Sequence, residues 1–116
     1  MRALGRRTTL ADGGGQELRV GELVLDLNAR RARRGEHNLD LTKREWNLLE
    51  CFMRHPGQAL SRQQILDYVW SYETEVQTTM VDVYISYPRR KLDATGRRDP
   101  IRTVRGVGYR LEPADV

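Results

Sequence analysis

The apolar positions change their period along the chain, and the changes mark its elements. Leu18 and Val20, then Leu23, Val24 and Leu25, sit in short strand-like runs separated by a turn at Gly21. A second turn falls at Asp26-Leu27-Asn28, and Arg31–Arg34 reads as a third strand. Gly35-Glu36 turns the chain into a fourth strand running from His37 to Leu41. The period then becomes helical. Thr42 and Glu45 have the spacing of a capping box, and Trp46, Leu49, Phe52 and Met53 follow on one helical face, ended by Pro56-Gly57. Ser61 and Gln64 repeat the box ahead of Ile65, Leu66 and Val69, predicting a second helix that ends near Trp70.

After the polar, acidic stretch 71–77, Thr78 or Thr79 is suited to cap a third helix over about 79–92. Its core stripe is Val81, Ile85, Pro88 and Leu92. Two short strands, Ile101–Val104 and Gly108–Leu111, flank a tip at Arg105-Gly106-Val107. The order predicts an α+β fold: a winged helix-turn-helix with an N-terminal four-stranded antiparallel sheet, three helices and a C-terminal β-hairpin wing. Residues 1–16, with Gly13-Gly14-Gly15, read as a linker remnant, 17–112 as the domain and 113–116 as a tail.

Charge sharpens this picture. The 116 residues carry a net charge of +4, spread unevenly. Residues 35–77 hold four basic and seven acidic side chains, whereas 78–111 hold eight basic and three acidic. Eighteen of the twenty cations are arginine, whose fork suits phosphate and guanine edges, although a GC-rich genome produces the same bias. Beside its core stripe the third helix presents Met80, Val83, Tyr84 and Tyr87, with Arg90 and Lys91 at its end, and an adjoining face of Asp82, Ser86 and Arg89. A major groove accepts one such helix, but a solvated helix with a basic last turn fits the same pattern. Arg102, Arg105 and Arg110 cluster in the hairpin, and Arg105 at its tip suits a narrow minor groove; gatekeeping charge on a sheet edge is the plainer reading.

Other chemistries find no residues to carry them. His37 and His55 lack metal-ligand neighbours, and no nucleophile–base set or paired carboxylates in a pocket emerge, so neither an enzyme nor a cofactor is expected. The lone Cys51 and the lack of a long apolar run point to a cytoplasmic protein with no membrane contact. Arg30, Arg31, Arg33 and Arg34 are expected to edge the N-terminal sheet.

Four stretches together resemble the effector domain of OmpR/PhoB-type response regulators: LTKREWNLL at 41–49, SRQQILDYVW at 61–70, VDVYI at 81–85 and TVRGVGY at 103–109. The resemblance covers roughly 17–112, and RALGRR at 2–7 resembles the end of a receiver domain and its linker. It implies a partner, double-stranded DNA, bound as direct repeats, and a receiver domain missing from this chain. It implies groove-facing roles for Thr79, Met80, Val83, Tyr84, Ser86, Tyr87 and Arg89; Arg90 and Lys91, by their place near the helix end alone, are expected to meet phosphates or a guanine. Wing contacts fall on Thr103, Arg105 and Tyr109, and a backbone contact on Trp70. The loop 71–77, with Glu73 and Glu75, resembles the segment that touches RNA polymerase. The alternative is a winged helix that docks another protein through the same face. Pro88 departs from the family's leucine, and a kink or break around Tyr84–Tyr87 is expected from it.

Overall fold

A computed structural model describes residues 16–71, 76–96 and 98–116. The linker stretch 1–15, the RALGRR resemblance and the acidic pair Glu73 and Glu75 lie outside the described residues. Four strands, β1 (Glu17–Val20), β2 (Leu23–Asp26), β3 (Arg31–Arg34) and β4 (His37–Leu39), form an antiparallel meander in chain order. Leu25 pairs with Leu18 and with Ala32, which fixes one face of the sheet as apolar. The Asp26 carboxylate accepts the N–H groups of Asn28 and Ala29, so the expected turn forms.

The helices are α1 (Lys43–Met53), α2 (Arg62–Val69) and α3 (Thr79–Asp93). Both expected capping boxes are formed: Thr42 with Glu45, and Ser61 with Gln64. Thr78 stands at the start of α3 but its side chain caps nothing, because its backbone is already helical. The core lies where the apolar face of the first sheet meets the three helices. Leu23, Leu25, Leu48, Leu49, Phe52, Ile65, Val81 and Leu92 are all buried there.

Two strands close the fold, β6 (Ile101–Val104) and β7 (Gly108–Leu111), paired antiparallel as expected. A short strand with no sequence signal of its own, β5 (Leu60–Ser61), adds to β7 and makes a three-stranded sheet of order β5-β7-β6. Gly108 makes that addition possible: a Cβ there would lie 2.2 Å from the Leu60 carbonyl oxygen. The C-terminal tail packs onto the domain. It forms a 3₁₀ turn at Pro113–Asp115 and buries Val116.

Pro88 does not break α3, which runs as one helix from Thr79 to Asp93. The missing N–H lies on the core stripe, where the ring is fully buried, and α1 and α2 pack along the same helix. Tertiary packing outweighs the local penalty of about 3 kcal/mol. Arg34 is a second correction. It does not edge the sheet but is buried, its guanidinium donating to the carbonyls of Leu92 (3.2 Å), Arg98 (2.7 Å) and Asp115 (2.7 Å). The strand period turns Arg34 to the core side, while Arg31 and Arg33 face solvent.

Candidate nucleic-acid interface

The solvent side of α3 is laid out by its buried stripe. With Val81, Ile85, Pro88 and Leu92 turned inward, Thr79, Asp82, Val83, Tyr87 and Arg90 are exposed. Val83 is 51 % and Tyr87 40 % exposed, large apolar groups left in water on one helix. Met80 and Tyr84 are half-buried and lean against the core edge.

An aromatic ladder orients this face. Trp70, at the end of α2, meets Tyr84 edge-on with ring centres 5.6 Å apart, and Tyr84 meets Tyr87 at 5.8 Å. Cations terminate it at both ends: Arg44 lies 4.8 Å over Trp70 and 6.0 Å over Tyr84, and Arg90 lies 5.9 Å over Tyr87. Tyr87 is thus braced by Tyr84 and Arg90 yet stays exposed. Trp70 itself is only 4 % exposed. It forms the floor on which Tyr84 and Arg44 rest.

The basic end of α3 differs from expectation. Lys91 does not extend into solvent; its ammonium donates to the Asp40 carbonyl and to Glu45 at 2.6 Å. Burial opposes charge on Glu45, but the Lys91 and Thr42 hydrogen bonds and the Lys91 charge prevail and lower its carboxyl below 4.5. Arg89 is paired with Asp99 at 3.3 Å. The Ser86 hydroxyl donates back to the Val83 carbonyl at 2.8 Å. Arg90 is the basic residue of this turn that remains exposed beside the aromatic ladder.

The hairpin sorts its arginines the same way. Arg102 is engaged by Asp115 and by the Asp99 carbonyl, and Arg110 pairs with Glu112 at 3.1 Å. Arg105, exposed at the tip, has no hydrogen bond or ion pair among the described residues, and exposed Thr103 and Val107 flank it. Gly106 turns the tip with φ of +78°.

Tyr109 is buried rather than displayed. Its hydroxyl donates to Asp82 in the first turn of α3, and the Arg62 guanidinium lies 5.3 Å over its ring. Arg62 Nε also donates to Asp82 at 2.8 Å. The Tyr109 hydroxyl, joined by Arg62, holds the Asp82 carboxyl below its usual range against modest burial. Burial, then the Asp82 carboxylate, raises the Tyr109 phenol. No local spacing signals Arg62 or Asp82 as partners of Tyr109, since they lie far from it in the chain. This cluster sets the hairpin beside the start of α3.

The described residues contain no group of metal-ligating side chains, and no described helix is long and apolar enough to cross a membrane. Burial pushes the Cys51 thiol up to about 12, where it is neither nucleophile nor ligand.

The family described as "Transcriptional regulatory protein, C terminal" matches residues 35–111. The transcriptional regulatory protein TrcR of Mycobacterium tuberculosis is 44 % identical over 116 residues, covering 99 % of this chain and 45 % of its own length. The chain thus spans about half the length of the curated relatives it matches. Among solved structures, the DNA-binding domain of CpxR from Escherichia coli is 33 % identical with a TM-score of 0.67, covering 84 % of this chain and 96 % of that one. The Klebsiella pneumoniae RstA DNA-binding domain, in complex with RstA box, is 28 % identical with a TM-score of 0.73, covering 84 % and 98 %. Motifs, topology and these likenesses agree: the chain belongs to the C-terminal domains of transcriptional regulatory proteins, the OmpR/PhoB-type response-regulator family.

Proposed function

We propose that this chain binds double-stranded DNA by sequence and acts as the output domain of a two-component response regulator. In this reading α3 enters a major groove and the β6–β7 hairpin reaches the adjacent minor groove. The observation that carries it is the pairing of Val83 and Tyr87, exposed on α3, with a hairpin hydrogen-bonded to the first turn of that helix. Val83 offers a methyl-sized apolar contact for thymine, and Tyr87 and Arg90 offer polar contacts to bases and phosphates. Arg105 is the minor-groove residue, with Thr103 beside it on the strand. Thr79 and Met80 border the same face, and Arg89 joins them on release from Asp99. The complex of the RstA domain with RstA box supports this partner class. Two copies on direct repeats and a contact of the 71–77 loop with RNA polymerase complete the proposal.

Selection of duplexes from a random pool at two salt concentrations tests it. A family of related sequences should be enriched, and affinity should fall with salt with slope about −0.9 per phosphate neutralised. Arg105→Ala should make that slope shallower by about 0.9 and weaken binding to most sequences. Val83→Ala or Tyr87→Ala should change which sequence is preferred. Weak, salt-insensitive binding with no enriched sequence would refute the proposal and favour a protein-docking module.

A further inference from the structure

Asp82 is an unexpected residue on a surface meant for a polyanion. Its side chain is 41 % exposed and lies in the first turn of α3. A carboxylate there repels phosphates. The positive end of the helix favours it, but that does not explain its partners. Two other elements converge on it: β7 through Tyr109 and α2 through its first residue, Arg62. Arg62 and Tyr109 also touch each other, cation over ring, so the contacts form a closed triangle. The hairpin has a second attachment, the β5 pairing of Leu60 with Tyr109 and Ser61 with Gly108. Backbone pairing fixes the tip-side end of β7 to the start of α2. The Asp82 triangle joins this tip-side end of the hairpin to the first turn of α3, while Arg89 of α3, paired with Asp99, ties the last turns of the helix to the base of the hairpin.

We infer that Asp82 is a positioning residue for duplex recognition: it holds the hairpin and the Arg62 side chain in register with α3, so that both prongs meet one duplex together. The inference rests on the DNA-binding reading above. Specificity here comes from simultaneous contact, and a loose hinge between the prongs lowers it without removing a single base or phosphate contact. A carboxylate that only repels phosphate would do the opposite, lowering affinity for all duplexes alike.

The experiment compares D82A, D82N, Y109F and the D82A/Y109F double variant against two probes: a duplex enriched from a random pool and sonicated mixed-sequence DNA. D82A should lose about tenfold in preference for the enriched duplex, while mixed-sequence binding holds or strengthens because a negative charge is gone. Y109F should lose preference similarly, and the double variant no more than D82A alone, since both cut one connection. D82N keeps an oxygen acceptor for Tyr109 and Arg62 and should retain most of the preference. Without DNA, backbone amide resonances of residues 101–111 should shift in D82A while thermal unfolding stays cooperative. Equal strengthening of both probes by D82A, additive losses, or unmoved hairpin resonances would overturn the inference. If the unaltered chain enriches no duplex, the DNA-binding reading falls, and the resonances still decide whether Asp82 positions the hairpin.

Discussion

Arg34→Met removes a buried guanidinium while keeping a side chain of similar length. Arg34 is 1 % exposed, and its fork reaches the carbonyls of Leu92, Arg98 and Asp115, joining the end of α3, the loop before β6 and the C-terminal turn. The Leu92 carbonyl is at the negative end of α3, which adds to the attraction. Methionine leaves one fully buried acceptor, at roughly 1–3 kcal/mol, and two partly buried acceptors that regain water at smaller cost. Ending the desolvation of the cation offsets a fraction of this. The balance is a loss of about 3 kcal/mol, a large share of the ~5–15 kcal/mol available to a domain of this size. The melting temperature should fall by roughly 15 °C. Arg34→Lys, with charge but no fork, should lose less. Urea unfolding followed by circular dichroism measures the change, with an unchanged m-value showing that the denatured state is not altered. A loss below about 1 kcal/mol would refute the argument that this arginine clamps three segments.

Gly108→Ala should destabilise by about 3 kcal/mol, because the new methyl meets the Leu60 carbonyl at 2.2 Å and β5 must separate from β7. Gly106→Ala, with φ of +78° and open space around it, should cost only about 1 kcal/mol; equal losses in denaturant titrations would contradict this. The Glu45 carboxyl is lowered in the folded state, so its contribution is complete above pH 4.5 and disappears as pH falls through the folded value. Glu45→Gln should therefore flatten the acid side of the stability profile, and an unchanged acid limb would argue against the Lys91 pairing. Cys51, with its thiol near 12 and buried, should resist iodoacetamide at neutral pH until the chain unfolds. Labelling of the native chain at the rate of a free thiol would count against its placement.

Local chemistry made most elements readable. The capping boxes at Thr42 and Ser61 and the stripe Val81–Leu92 depend on neighbours three or four residues apart, and they formed as expected. What escaped depends on distant partners. Nothing near Leu60-Ser61 marks a strand, because two residues acquire that state only from pairing with Gly108 and Tyr109. Arg34 looks like its exposed neighbours Arg31 and Arg33, and only the alternation of a formed strand separates them. The same holds for the interface. Val83, Tyr87 and Arg105 follow from helix phase and turn position, and all are exposed. The partners of Lys91, Tyr109 and Trp70, namely Glu45, Asp82 and the Tyr84–Arg44 cover, are not legible in the sequence, because these contacts span α1, α2, α3 and the hairpin. Pro88 shows the converse, a strong local rule overruled by packing.

The β5–β7 pairing clamps the hairpin immediately below its tip and leaves only the tip free. Beyond Val104 and Gly108 no residue belongs to either ladder, and around Gly106 no atom crowds the space a side chain would take. Lengthening, shortening or rewriting Arg105–Val107 would change what the tip touches while the interior keeps its packing. Alterations at the clamped end have no such freedom, because there the backbones of two segments already fill the room.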